Sequence, residues 1–217
     1  MYYTATIANG STHCVSAATA TSPVGPYTPL ETIIACPALS GGAIDPAGFA
    51  DTNGDLYLVY KIDANSLGLG GNCNNGIPPI KITPIMLQPL EADGLTPKGC
   101  PTEILQNGQQ DGPLVEAPSL VKVEGTYYLF YSRNCYSGPW YVVAHATASS
   151  IYGPYTKALN PSIATSFGPD GDLYAPGGAT VVPEGDKMVF HADLGLNSTT
   201  RQMYVGFPKI RGGKVII

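Results

Sequence analysis

The sequence predicts an all-β chain of propeller type built from repeated antiparallel units, and three observations carry that prediction. Gly (26) and Pro (20) are abundant while apolar residues make up 44% of 217, the composition of many turns joining short buried strands. An apolar segment, a turn glycine and an apolar strand also recur three times. Ala43-Ile44-Asp45-Pro46-Ala47 leads through Gly54 to Leu56–Tyr60, Val115-Glu116-Ala117-Pro118 through Gly125 to Thr126–Ser132, and Ala175-Pro176-Gly177 through Gly185 to Lys187–His191. In each copy nine residues separate the turn glycine from position 45, 116 or 176. That spacing assigns Asp45 and Glu116 to one structural position, where the third copy has no acid. The three positions lie 71 and 60 residues apart, which suits four-stranded blades with loop insertions.

Taken in order, residues 2–7 and 14–21 read as two strands joined by a turn at Asn9-Gly10, a strong hairpin signal. The connector Ser22-Pro23-Val24-Gly25-Pro26-Tyr27 returns in similar form as Ser150-Ile151-Tyr152-Gly153-Pro154-Tyr155. The next unit starts near Gly42 and turns at Asp51-Thr52-Asn53-Gly54-Asp55. That string resembles the start of an EF-hand loop but has Ile62 where the closing Glu belongs, so a plain hairpin turn is expected. Residues 64–80 are rich in Gly and Asn and read as a long surface loop. Ile82–Leu90 returns to strand composition and ends at the turn Glu91-Ala92-Asp93-Gly94. A third unit starts near Pro113 and includes the apolar strand Trp140–Ala148; a fourth starts near Tyr174 and ends with Arg201–Phe207. No long stretch shows a helical period, and prolines interrupt most candidates. A single domain over 1–217 is expected, and stepping back by the repeat interval places the start of the preceding unit before Met1. The expected content is therefore about three and a half blades, without the first blade and the first strand of the second.

Only 12% of residues are charged and the net charge is −5, so no basic field exists for a nucleic-acid backbone. No apolar run has the length of a membrane span, and the first twenty residues lack the Lys or Arg of a signal peptide. Five cysteines and the acceptors Asn9-Gly10-Ser11 and Asn197-Ser198-Thr199 point to an extracellular protein. An odd count leaves at least one thiol unpaired; the pairing taken is Cys14–Cys36 and Cys73–Cys135, with Cys100 free.

Glu116 is a single carboxylate among apolar neighbours, which marks it as a catalytic candidate rather than a strand-end acid. Asp45 is either its partner or part of an Asp-Pro turn. Asp111, Asp170 and Asp172 lie beside Gly or Pro and read as turn residues; nothing singles out Asp193. Tyr136 and Trp140 either stack on a sugar ring or pack between blades, with core favoured for Tyr136. Arg201 reads as an exposed strand position, and His191 as either a residue near a central cavity or a hydrogen-bonded strand histidine.

The strings Ala43-Ile44-Asp45-Pro46 with Tyr57-Leu58-Val59-Tyr60-Lys61, Val115-Glu116-Ala117-Pro118 with Tyr127-Tyr128-Leu129-Phe130-Tyr131-Ser132, and the two Gly-Pro-Tyr connectors resemble glycoside hydrolase family 43. With the third copy they span nearly the whole chain. The resemblance implies a five-bladed propeller that cleaves arabinose- or xylose-containing plant polysaccharides with inversion. It makes Glu116 the general acid and Asp45 the residue that orients it and raises its pKa. It assigns the general base to an Asp of a first blade that this chain does not contain, so the fragment is expected to be inactive. Trp140 and His191 are the expected substrate-binding residues. No cofactor is implied, although a central calcium ion is allowed; the Gly-His of many members is Gly177-Gly178 here. The alternative is a non-catalytic propeller that binds carbohydrate or protein. An incomplete propeller exposes strand edges and blade faces, so the isolated chain is expected to self-associate or to be poorly stable. Analytical ultracentrifugation with thermal melts over a range of concentrations checks this, and a sharp, concentration-independent transition of a monomer counts against it.

Overall fold

The computed structural model describes residues 1–8, 10–167, 172–196, 198 and 200–217. The first sheet holds β1 (Tyr2–Thr6), β2 (His13–Thr19) and β3 (Thr28–Ala35); the second β4 (Ala43–Ala50), β5 (Leu56–Ile62), β6 (Ile85–Leu90) and β7 (Thr102–Leu105). The third holds β8 (Val115–Val123), β9 (Thr126–Arg133), β10 (Val142–Ala148) and β11 (Thr156–Lys157), and the fourth β12 (Tyr174–Val181), β13 (Met188–Asp193) and β14 (Arg201–Gly206). A last hairpin pairs β15 (Lys209–Arg211) with β16 (Lys214–Ile216). Every sheet is antiparallel with neighbours in chain order, and helical structure among the described residues is limited to short 3-10 turns. None is long and apolar enough to cross a membrane.

Strands such as β5 and β9 are buried along nearly their whole length because the second and third sheets are covered on both faces. Alternation then divides one strand between two cores. Tyr57 and Val59 of β5 pack with Leu120, Leu129 and Tyr131 of the third sheet, whereas Leu58, Tyr60 and Ile62 pack with Val15 and Ala17 of the first. In β9, Tyr128 and Phe130 turn the other way, to Val181, Met188 and Phe190 of the fourth sheet. The four sheets thus stack face to face, with β4, β8 and β12 in contact along one side. Ile210 and Val215 of the final hairpin pack on the third core, and the Gly213 N–H donates to the Tyr128 hydroxyl (2.9 Å).

The repeated connectors are alike in detail. The Tyr27 hydroxyl donates to the Pro23 carbonyl (2.8 Å) and the Tyr155 hydroxyl to that of Ile151 (3.1 Å). Residues 64–80 form a strandless loop, as expected, but one that is pinned. Cys73 is bridged to Cys135 and Cys14 to Cys36, leaving Cys100 free and exposed. Asn75, fully buried, donates to the carbonyls of Lys81 (3.0 Å) and Pro113 (2.6 Å), and a Cβ at Gly68 would collide with the Asn74 carbonyl oxygen at 1.6 Å. The predicted strands at 82–90 and 140–148 start later, at Ile85 and Val142. Asn9 of the predicted turn, Asn197 and Thr199 of the second acceptor, and Asp170 lie outside the described residues.

One expectation needs correction. The strands β4, β8 and β12 each carry a left-handed residue directly before a proline: Asp45 (φ 56°), Ala117 (φ 50°) and Ala175 (φ 44°). The register of each slips at that point, between Ile44 and Ala47, between Glu116 and Ser119, and between Tyr174 and Gly177, as a β-bulge requires. The equivalent positions are therefore Ile44, Glu116 and Tyr174, with Asp45 one residue further on, matching Ala117 and Ala175. The spacing to the turn glycine misled because the turns differ in length. Ala50 pairs with Leu56 across residues 51–55, but Val123 pairs with Thr126 across only residues 124 and 125.

The second and third sheets are also joined by a buried polar clamp. Asp51, in the β4–β5 turn, accepts hydrogen bonds from the Tyr127 hydroxyl (2.5 Å) and Lys122 Nζ (2.7 Å). Burial opposes its ionisation, but these bonds and those from Thr52 outweigh it and hold the carboxyl below its usual range. Asp51→Ala leaves the Tyr127 hydroxyl without its acceptor, and a loss on the order of 2 kcal/mol is expected in urea unfolding at pH 7. Because the folded-state pKa is depressed, the difference from wild type should shrink as the pH falls through the carboxylate range; an unchanged urea midpoint at pH 7 would reject the clamp.

Candidate active site

The bulges decide which side chains meet. Across the strands Ile44 faces Lys61, Glu116 faces Ser132 and Tyr174 faces Asp193. Moved one residue along by its own bulge, Asp45 reaches the neighbouring strand, where its Oδ2 accepts the Ala117 N–H at 2.9 Å. The carboxylate of one sheet is thereby fastened to the residue beside Glu116 of the next.

Glu116 is held at both oxygens. Oε1 accepts the Tyr141 hydroxyl (2.7 Å), and Oε2 lies 3.4 Å from Lys61 Nζ. Lys61 is 1% exposed and also lies 3.5 Å from Asp63 Oδ1, while Asp63 Oδ2 meets His13 Nδ1 at 3.3 Å. Burial, and then the negative charge of Glu116, push the Asp45 carboxyl up to about 6, against the pull of Lys61 and the Ala117 N–H. Burial, and then Glu116, likewise raise the Tyr141 phenol well above its ordinary value, so it remains a donor.

Tyr141 extends the constellation towards the fourth sheet. Its ring stacks on His191 with centroids 6.0 Å apart and 14° between planes. Burial, and then the Arg201 charge, lower the His191 pKa, which keeps the ring neutral at pH 7. Arg201 lies 3.4 Å from both His191 Nε2 and Asp193 and covers the Tyr136 ring at 5.1 Å. Tyr136, Tyr174, Asp193 and Arg201 line a cleft of about 360 Å³ that opens beside the carboxylate pair rather than onto it. The Gly177-Gly178 stretch shows why no histidine stands there: a Cβ would meet the Tyr141 ring at 1.9 Å from Gly177 and the His191 ring at 2.8 Å from Gly178. These residues do not fit a His-held calcium, and no group of three or more His, Cys, Asp or Glu side chains poised for a metal occurs among the described residues. No step is therefore routed through a metal ion.

Of the expected site residues, the structure brings Glu116, Asp45 and His191 together. Trp140 stands apart, 75% exposed, with only its carbonyl engaged by Asn134. Tyr136, expected in the core, is 52% exposed on the cleft wall, and Arg201 is bound into the site rather than merely exposed. Asp111 is buried against Lys157 and caps Gly108, and Asp172 accepts the Tyr174 hydroxyl (2.9 Å); both are structural. Lys61, Asp63 and Tyr141 escaped the sequence reading. The signal for Lys61 and Asp63 was a pair of charges at the end of an otherwise apolar strand; Tyr141, inside an apolar run, gave none.

The family model for glycosyl hydrolases family 43 matches residues 1–206. A curated relative from Xylanibacter ruminicola, named "Putative beta-xylosidase", is 27% identical over 143 residues, covering 65% of this chain. The chain spans only 22% of that relative's length. A thermostable family-43 glycoside hydrolase superposes with a TM-score of 0.78 at 26% identity, over 99% of this chain and 69% of its own. An endo-1,4-beta-xylanase from Bacteroides thetaiotaomicron gives 0.71 at 26% identity, over 94% and 66%. An endo-arabinase from the same organism gives 0.72 at 18%, over 98% and 72%, a likeness of fold.

The raised Asp45 pKa has a consequence for stability. The folded chain holds this proton to about pH 6, whereas an unfolded Asp releases it near 4. The favourable contribution is thus complete below about pH 4 and lost as the pH rises through about 6. Asn can keep the bond to Ala117 and tolerates a left-handed backbone. Asp45→Asn should therefore be more stable than wild type at pH 7.5, by on the order of 1–3 kcal/mol, with the gain vanishing near pH 4. Urea unfolding at the two pH values checks this; equal gains at both would show that the carboxyl is not perturbed.

Proposed function

Because the chain belongs to glycosyl hydrolases family 43, we propose that it hydrolyses glycosidic bonds in xylose- or arabinose-containing polysaccharides, with Glu116 donating the proton to the leaving oxygen. The observation that carries this reading is the Glu116–Asp45 pair, drawn together across two sheets by the bond from the Ala117 N–H to Asp45, with Tyr141 and Lys61 at the two Glu116 oxygens. Asp45 holds the backbone beside Glu116, and Tyr141 orients the carboxyl. The names of two relatives, "Putative beta-xylosidase" and an endo-1,4-beta-xylanase, support the pentose class.

In this reading the reaction inverts the anomeric centre. An inverting site places its acid and base about 6.5 to 9.5 Å apart, with water between them. Asp111 and Asp193 are engaged with Lys157 and Arg201, and Asp63 with Lys61 and His13. Each of these three is already paired; in this reading the base is an Asp of a preceding blade, as the family resemblance implies, and residues 1–217 alone should be inactive. Two disulfides favour an extracellular site of action.

The test is hydrolysis of aryl β-xylopyranosides and α-arabinofuranosides by this chain and by a version extended upstream by one blade, with proton NMR reading the anomer first released. The extended form should turn over substrate with inversion, and Glu116→Gln should lower kcat by about 10²-fold or more. Full activity in Glu116→Gln would reject Glu116 as the acid. Oligosaccharide binding by calorimetry without turnover in either form would replace the enzyme with a binding module.

A further inference from the structure

Lys61 is the one strongly buried cation beside the carboxylate pair, and ordinary fold requirements do not explain it. A methionine would fill a similar volume without the cost of burying an ammonium, and such replacements are often neutral or stabilising. Instead the side chain lies almost midway between two carboxylates, 3.4 Å from Glu116 Oε2 and 3.5 Å from Asp63 Oδ1. These distances are long for hydrogen bonds, so Lys61 acts mainly as a fixed charge. Asp45, Asp63 and Glu116 surround that charge, and if all three ionised the cluster would carry a net −2. One retained proton halves this.

We propose that Lys61 is a positioning residue whose fixed charge sets the electrostatic field at Glu116 and Asp45, and that Asp63 tunes it by offsetting part of that charge. His13 faces Asp63 from β2, Tyr141 faces Glu116 from the start of β10, and His191 with Arg201 and Asp193 stands beyond Tyr141 on β13 and β14. Arg201, the other cation there, is taken up by Asp193, which leaves Lys61 as the charge acting directly on Glu116. The inference rests on the glycosidase reading only for what the proton is used for; the electrostatic coupling stands without it.

Removing Lys61 and removing Asp63 should have opposite effects, which a general loss of packing would not produce. With carboxyl-¹³C-labelled full-length chain titrated by NMR, Lys61→Met should raise the midpoint of the Asp45–Glu116 pair by about one pH unit or more. Lys61→Arg should restore it to near the wild-type value, and Asp63→Asn should lower it. Unchanged midpoints, or shifts of the same sign in Lys61→Met and Asp63→Asn, overturn the proposal. If Lys61→Met does not fold, the sign of the Asp63→Asn shift decides alone. Opposed shifts in a chain whose upstream-extended form cleaves no glycoside would sink the glycosidase reading and leave the role of Lys61 intact.

Discussion

At the centre of the molecule three neighbouring strands each break register at one left-handed residue that precedes a proline, and the rest of the site depends on that break. In a regular strand buried on both faces, side chains alternate strictly between the two neighbouring sheets. A side chain of such a strand can reach the backbone of the next sheet, as Ser132 does at Gly178, but bringing Asp45 to the residue beside Glu116 takes a shift of register. The bulge at Asp45 supplies that shift, and the bulge at Ala117 offers the N–H that meets the carboxylate. A left-handed alanine is costly for an L-residue, and Ala117 and Ala175 both adopt that conformation. Strain that recurs at one place in successive sheets is what a packed scaffold can sustain where function needs it.

Packing and electrostatics are linked through the same strands. Residues up to Tyr60 give β5 its place between two cores, and the next residue, Lys61, uses that burial to act in a medium where charge is poorly screened. At an effective dielectric constant near 20, unit charges 3.4 Å apart interact by roughly 5 kcal/mol, several times what an exposed ion pair contributes. Had the same lysine stood at the surface, it would have little hold on Glu116. The hydrophobic stacking of sheets and the tuning of the carboxylates are thus one arrangement.

Much of this was legible in the sequence. The hairpins, the repeated connector and the isolation of Glu116 among apolar residues follow from local composition and spacing. The relative placement of the two acids does not, because their distance to a turn glycine measures turn length as well as strand length. The turn glycine is the fourth residue after Ala50 but the second after Val123, while the stretch from bulge to turn is one residue shorter in the first copy, so the copies are offset by one residue. The Xaa-Pro dipeptides at 45–46, 117–118 and 175–176 would have aligned them correctly, since a proline fixed beside a bulge marks backbone geometry directly. Tyr141 was out of reach for another reason: an aromatic residue in an apolar run has the same appearance whether it fills a core or donates to a carboxylate.

The fourth sheet shows what the same backbone does when the acid is replaced. Tyr174 occupies the position equivalent to Glu116, and Asp193 faces it as Ser132 faces Glu116. Here the cross-strand charge pairs with Arg201, and a cleft opens in place of a proton-holding pair. The two sites meet at Tyr141, whose hydroxyl serves Glu116 and whose ring lies on His191. That ring occupies the space a side chain at position 177 would need, so glycine there is a condition for the contact. A neutral His191 between them matters as well. Were it charged, it would compete with Lys61 for the Glu116 carboxylate, and its burial, with the Arg201 charge beside it, keeps that from happening. The cleft and the carboxylate pair are therefore joined through Tyr141.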